Sequence, residues 1–194
     1  SASWSGIIDN RKNVKELRTH QVNALKEINL CLCSKEEKDR ITKGVVVLAT
    51  GAGKTLTQAQ LAINALTEND KPGVVIISCP TVDLVEQFYT EFAQMLSYSD
   101  LFNKDTFDSK RLIKVSSGVN AIGAPNILKV FNGVEQIESS IIAIVCIDSL
   151  RCLIKQRAKF VSHSILISLD ECHHSSYSEE FYTELGTFLD SNKM

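Results

Sequence analysis

Five short runs rich in β-branched residues recur along the chain: GVVVLA (44–49), GVVIISC (73–79), RLIKV (111–115), IIAIVCI (141–147) and ILISLD (165–170). Most lack the polar alternation of a half-solvated sheet, so they read as strands buried on both faces, as a parallel sheet requires. Helical patterns separate them. Apolar residues recur at Val22, Leu25, Ile28 and Leu32 within a helix predicted over Glu16–Leu32. Others are predicted over Lys54–Leu66, Pro80–Leu96 (Val82, Val85, Phe88, Phe92 and Met95 on one stripe), Asn126–Ile137, Ser149–Phe160 and Glu179–Leu189. Strand and helix thus alternate, which specifies an α/β fold: a doubly wound, mainly parallel sheet with helices on both faces. In such sheets ligands bind beyond the carboxyl ends of the strands. Chemistry is therefore expected where runs 44–49, 73–79, 141–147 and 165–170 stop.

The turn at the first of these ends is rich in glycine. In LATGAGKT (48–55), Gly51 and Gly53 permit a tight turn. The backbone N–H groups of Thr50, Gly51, Ala52 and Gly53 can then point inward at an anion, and the following helix adds its positive end. Lys54 can reach a β- or γ-phosphate, and the Thr55 hydroxyl can ligate Mg²⁺. The strict pattern GxxxxGK[ST] has Gly where this chain has Leu48. An ordinary strand-to-helix turn with two glycines would need neither Lys54 nor Thr55.

A second strand end carries two acids, in LISLDECHH (166–174). Asp170 at a strand tip beside a phosphate loop would hold Mg²⁺ directly or through water. Glu171 is placed to take a proton from an attacking water. A bland reading has both acids capping the next helix. Cys172, His173 and His174 invite a zinc reading, but three consecutive residues seldom converge on one tetrahedral ion.

Together these segments resemble the superfamily 2 helicases and translocases. LATGAGKT and DECHH (170–174) look like motifs I and II of that superfamily. LRTHQ (17–21), CPTVDLVEQF (79–88) and CIDSL (146–150) look like its adenine-reading, Ia and Ic segments, in the family order. Cys146 stands where a threonine is common. The resemblance spans about residues 17 to 174 and is nearest to the ResIII type of restriction subunits. DECHH also occurs in duplex-RNA translocases of the RIG-I and Dicer type.

The resemblance implies a RecA-like fold of the P-loop NTPase class, with ATP and Mg²⁺ as cofactors. By position, Thr50 to Thr55 would bind the phosphates, Thr55 and Asp170 the metal, and Gln21 the adenine. Lys54, Asp170 and Glu171 would carry hydrolysis, and His173 would couple the site to a second lobe. Pro80, Thr81, Gln87, Ser149 and Arg151 would meet a nucleic-acid backbone. Residues 1–15 are expected to be an extension and 16–194 the first RecA-like lobe. The motifs of a second lobe, with its arginine finger, are not found in the sequence. The isolated chain is accordingly expected to hydrolyse ATP poorly, since that arginine is worth about 10³–10⁵ in rate in related systems.

Composition sets bounds on partners. A net charge of −2 excludes a surface that is basic throughout. Polyanion contact must then be local, and Arg151, Lys155, Arg157 and Lys159 form one patch free of acids, with Lys110, Arg111 and Lys114 a second run. A solvated helix face accounts for such lysines equally well. Trp4 is either near the adenine or an ordinary exposed or core side chain, the latter being the commoner case. Six cysteines without a CxxC pair, and no leader-like start, read as reduced thiols of a cytoplasmic protein. No run is long enough to span a bilayer. The expected partner is nucleic acid, DNA before RNA. Two other roles stay open, a duplex-RNA translocase lobe and a nucleotide-dependent regulatory module without motor output. A GTPase is disfavoured because NKDT (103–106) lacks the final aspartate of a guanine-reading NKxD.

Overall fold

A computed structural model describes residues 17–32, 46–48, 53–67, 73–96, 112–115, 141–155 and 164–191. Its elements are α1 (Thr19–Leu32), α2 (Lys54–Thr67), β1 (Gly73–Cys79), α3 (Val82–Leu96), β2 (Leu112–Val115), β3 (Ile141–Cys146), α4 (Ile147–Lys155), β4 (Ser164–Leu169) and α5 (Glu179–Ser191).

The strands form one sheet in the order β2-β3-β1-β4, and every pair is parallel. Cys79 of β1 lies opposite Cys146 of β3, and Ser78 opposite Leu169 of β4. Three carboxyl ends therefore stop side by side. From β1 the chain goes out to β2, returns to β3 and then crosses β1 to reach β4. The direction of winding reverses around β1, which is where a crevice forms in open α/β sheets.

Every residue of β3, and every residue of β1 from Val74 on, is buried. Successive strand side chains face opposite ways, so both faces of the sheet are covered. Helices α2 and α3 pack together and both lie against β1, while α4 and α5 form another pair and α4 lies against β1 and β3. The spacing predicted for α3 is observed: Val85, Phe88 and Phe92 are buried, and the Phe88 and Phe92 rings stack at 5.6 Å. Helix α5 does the same with Phe181, Leu185 and Phe188.

Several expectations are corrected. GVVVLA (44–49) reads as a strand, yet Val46–Leu48 pair with no strand, and Val46 and Val47 are 46% and 87% exposed. β-Branched composition favours a strand only where a ladder and a packed face exist to receive it. Strand β4 is an edge of the described sheet, and Ile165–Leu169 are half-buried rather than buried on both faces. Helix α1 begins at Thr19, not Glu16. The Arg18 N–H donates to Gln21 Oε1 at 2.7 Å, a side-chain cap three residues into the helix. Helix α3 begins after Pro80 and Thr81, with the Leu84 N–H donating to Thr81 Oγ1 at 3.3 Å. β3 passes straight into α4 at Ile147, so Ser149 lies inside the first turn rather than at the helix start. The helix expected at 126–137 lies outside the described residues, as do 156–160 of the helix expected over 149–160.

Candidate functional site

Gly53 leads into α2 with φ of +82°, the left-handed region that side chains disfavour. A Cβ at this position would stand 2.4 Å from Gln21 Nε2. Glycine is thus required twice, by the backbone and by a close neighbour. The Gly53 carbonyl accepts from the Thr57 N–H, from Thr57 Oγ1 and from Gln21 Nε2, at 3.1, 3.0 and 2.9 Å. Lys54 and Thr55 are the first two residues of α2, where backbone N–H groups have no helical partner and the helix end is positive. Thr50, Gly51 and Ala52 lie outside the described residues.

The acids enter from β4. The Asp170 N–H donates to the Ser78 carbonyl at 2.8 Å, one residue beyond the last ladder pair, and so anchors the strand tip to β1. Glu171 has φ of +51°, which is uncommon for a side-chain-bearing residue and marks a sharp change of direction. The two carboxylates consequently diverge. Asp170 faces α2, where Gln58 Nε2 donates to its Oδ1 at 2.9 Å. Glu171 Oε1 accepts from Lys54 Nζ, and its Oε2 lies 3.3 Å from His173 Nε2.

Electrostatics separates the pair further. Burial pushes the Asp170 carboxyl above its usual range, opposed first by the hydrogen bond from Gln58 and then by the Lys54 charge. The hydrogen bond from Lys54 holds Glu171 below the usual carboxylate range, and the same contact raises Lys54. Glu171 is therefore ionised at neutral pH, while Asp170 is a charge held in a desolvated setting that a cation would relieve. A hydroxyl and a carboxylate are hard oxygen donors of the kind Mg²⁺ takes alongside phosphate oxygens, so Thr55 and Asp170 fit that ion. Cys172, His173 and His174 make no such set. His173 stands beside Glu171, and His174 Nδ1 accepts from the Ser176 N–H at 3.1 Å.

The remaining predicted residues fall in three places. Gln21 is 1% exposed, and its amide is engaged at both ends by Arg18, Gly53 and Thr57. Pro80 is buried and Thr81 exposed at the tip of β1, and exposed Gln87 donates to Glu91 Oε1 at 3.1 Å. Ser149 is buried, and Arg151 Nη2 donates to the Ser176 carbonyl at 2.7 Å. In the basic run Lys114 pairs with Glu86 at 2.7 Å and lies over the Tyr89 ring. Trp4, Lys110, Arg111, Arg157 and Lys159 lie outside the described residues. Cys79, Cys146, Cys152 and Cys172 are free, and burial pushes the Cys79 thiol up to about 12.

The sequence reading missed Gln58, Ser168 and Tyr177. Gln58 follows Lys54 by four residues, and so stands on the same helix face. Tyr177 Oη donates to the Ser78 carbonyl at 3.0 Å and lies 3.1 Å from Ser78 Oγ, bracing the tip of β1 from beneath the acidic turn.

Comparison with known proteins agrees with this fold. A crystal structure of the UvsW helicase from bacteriophage T4 superposes with a TM-score of 0.58 at 19% identity, over 96% of this chain and 52% of that one. The chain thus spans about half the length of that structure. Among curated proteins none matches significantly. The profile of the ResIII family, described as the Type III restriction enzyme res subunit, matches residues 14–194. The chain belongs to that family and has the RecA-like fold of the N-terminal lobe of a superfamily 2 helicase.

Proposed function

We propose that this chain is the ATP-binding lobe of a nucleic-acid motor, hydrolysing ATP with Mg²⁺ to move on DNA when paired with a second lobe. The reading rests chiefly on one observation: Lys54 at the start of α2 pairs with Glu171, while Asp170 is held against the same helix. Residues 117 positions apart meet at a helix N-terminus, beyond the strand ends. An ammonium that holds a carboxylate here can hold a phosphate in its place.

The exchange has a chemical consequence. With Lys54 on Glu171, the carboxylate is tied up; a γ-phosphate that takes Lys54 releases Glu171 to accept a proton from water. Glu171 then acts as general base, with His173 beside it as the link to a second lobe. Asp170 and Thr55 would hold Mg²⁺, which when bound would neutralise charge developing on the transferred phosphoryl group. Thr50, Gly51, Ala52 and Gly53 would bind the phosphates. Gln21, joined to Gly53, would meet adenine through the spare lone pair of its Oε1 or by giving up a bond its Nε2 now makes. Pro80, Thr81, Gln87, Ser149 and Arg151 remain the proposed nucleic-acid track, with Thr81 and Gln87 its exposed members. Free thiols suit a cytoplasmic setting, and the family name favours a restriction or defence role.

Steady-state ATP hydrolysis with duplex DNA, single-stranded DNA and duplex RNA tests this. The expected result is slow turnover by the chain alone that rises when DNA and a second lobe are supplied. Stimulation by duplex RNA and not DNA would move the assignment to an RNA translocase. Binding of ATP without any turnover, under every condition, would favour a regulatory module.

A further inference from the structure

We propose that Gln58 is a positioning residue for the metal-binding carboxylate: its amide, oriented by Ser168, holds Asp170 Oδ1 and thereby sets the affinity of the site for Mg²⁺. This rests on the nucleotide site proposed above. Gln58 bridges α2 and the end of β4. Its Nε2 donates to Asp170 Oδ1 at 2.9 Å, and its Oε1 accepts from Ser168 Oγ at 3.3 Å. The chemistry fixes the amide's orientation. An ionised carboxylate only accepts hydrogen bonds, so the nitrogen must face Asp170 and the oxygen Ser168. Ser168 and Asp170 are two residues apart along the strand direction and so point to one face. Among the described residues, Gln58 is the side chain that hydrogen-bonds Asp170.

The type of residue matters. A lysine or arginine at this point would hold Asp170 by neutralising it and would compete with a cation. A glutamine holds the carboxylate and leaves its negative charge for Mg²⁺. One oxygen is committed to Gln58, so the carboxylate cannot rotate freely and meets the ion through its remaining lone pairs. Groups behind a metal ligand that orient it commonly change metal affinity by roughly 10–100-fold when removed. Gln58 and Ser168 stand in that relation to Asp170, whereas Lys54 and Glu171 serve phosphate and proton.

The test is a titration of a fluorescent ATP analogue into the chain, repeated across Mg²⁺ concentrations and in chelator. Gln58→Met keeps the bulk and removes both hydrogen bonds. Gln58→Glu keeps the shape and the acceptor for Ser168 but turns the donor into a second charge. Gln58→Met is expected to raise the Mg²⁺ midpoint by roughly 10-fold or more, a change much larger than any in metal-free affinity or melting temperature. Ser168→Ala should shift the midpoint less, in the same direction, and add nothing in the Gln58→Met background. Gln58→Glu, which sets a charge against Asp170 in place of a donor, is expected to shift the midpoint in either direction, and should Gln58→Met fail to fold it carries the test together with Ser168→Ala. An unchanged Mg²⁺ midpoint in these variants, or an equal loss with and without metal, overturns the positioning role alone. A wild-type chain that shows no Mg²⁺-dependent nucleotide binding overturns the underlying site as well.

Discussion

Gly53 shows how one position can be fixed by two independent demands. Its φ of +82° excludes most side chains, and Gln21 Nε2 occupies the space a Cβ would need. Gly53→Ala should therefore cost about 1–3 kcal/mol in urea denaturation, the scale of a strained backbone residue. In a Gln21→Ala background the cost should shrink, because the clash goes while the backbone strain stays. Additive costs would show that Gln21 is not the obstacle. Asp170 offers a second residue-scale prediction. Burial raises its carboxyl above the ordinary 3.8, so the folded chain holds that proton more tightly than the unfolded chain. Stability is then lost as pH rises from about 3.8 through the folded value, and the loss persists at neutral pH. Asp170→Asn keeps an oxygen for Gln58 and removes the buried charge. It should raise Tm at pH 7 on the order of 2–4 °C, about what 1 kcal/mol does in a domain of this size. The gain should vanish in acid, and a lower Tm at pH 7 would refute the account. Lys54, Asp170 and Glu171 were legible in the sequence because a glycine turn and an acidic strand end are local patterns. Gln58 was not, since its role depends on β4 lying beside α2, which no local pattern states.

At the scale of elements, buried runs were the most readable. IIAIVC forms β3 because continuous apolar residues suit a strand covered on both faces. Ends were less readable, because caps decide them. Thr81 ends the irregular step after Pro80, and Gln21 reaches back to Arg18 to start α1. The run at 44–49 shows the limit of composition. Its described residues carry strand-forming side chains without being in the ladder. The tip of β1 depends on a contact no periodicity predicts, from Tyr177 in the turn after the acids to Ser78. Burial raises the Tyr177 hydroxyl well above its ordinary range, so it acts as a neutral donor. Tyr177→Phe removes that donor and should destabilise the chain by roughly 1–3 kcal/mol, as expected when a buried polar group loses its partner. A thermal melt against Ser78→Ala and the double variant reads the share carried by the two hydroxyls, since Ser78→Ala keeps the carbonyl, and a neutral Tyr177→Phe would show that the brace contributes nothing.

At the scale of the molecule, alternation of strand and helix was enough to predict a parallel sheet. It was not enough to predict the order β2-β3-β1-β4, since order comes from long-range packing. That order puts the tips of β1 and β4 side by side and brings Asp170 and Glu171 to the start of α2. In the proposed function this junction is an ATP site in which Lys54 exchanges Glu171 for phosphate. Calorimetric titration of ATP with Mg²⁺ into the wild-type chain and into Lys54→Ala tests it most directly. Saturable one-to-one binding to the wild type is expected, with affinity weaker by at least about tenfold in Lys54→Ala, the loss of a charge-assisted phosphate contact. Equal affinity in the two chains, or no binding by a folded wild type, would contradict it.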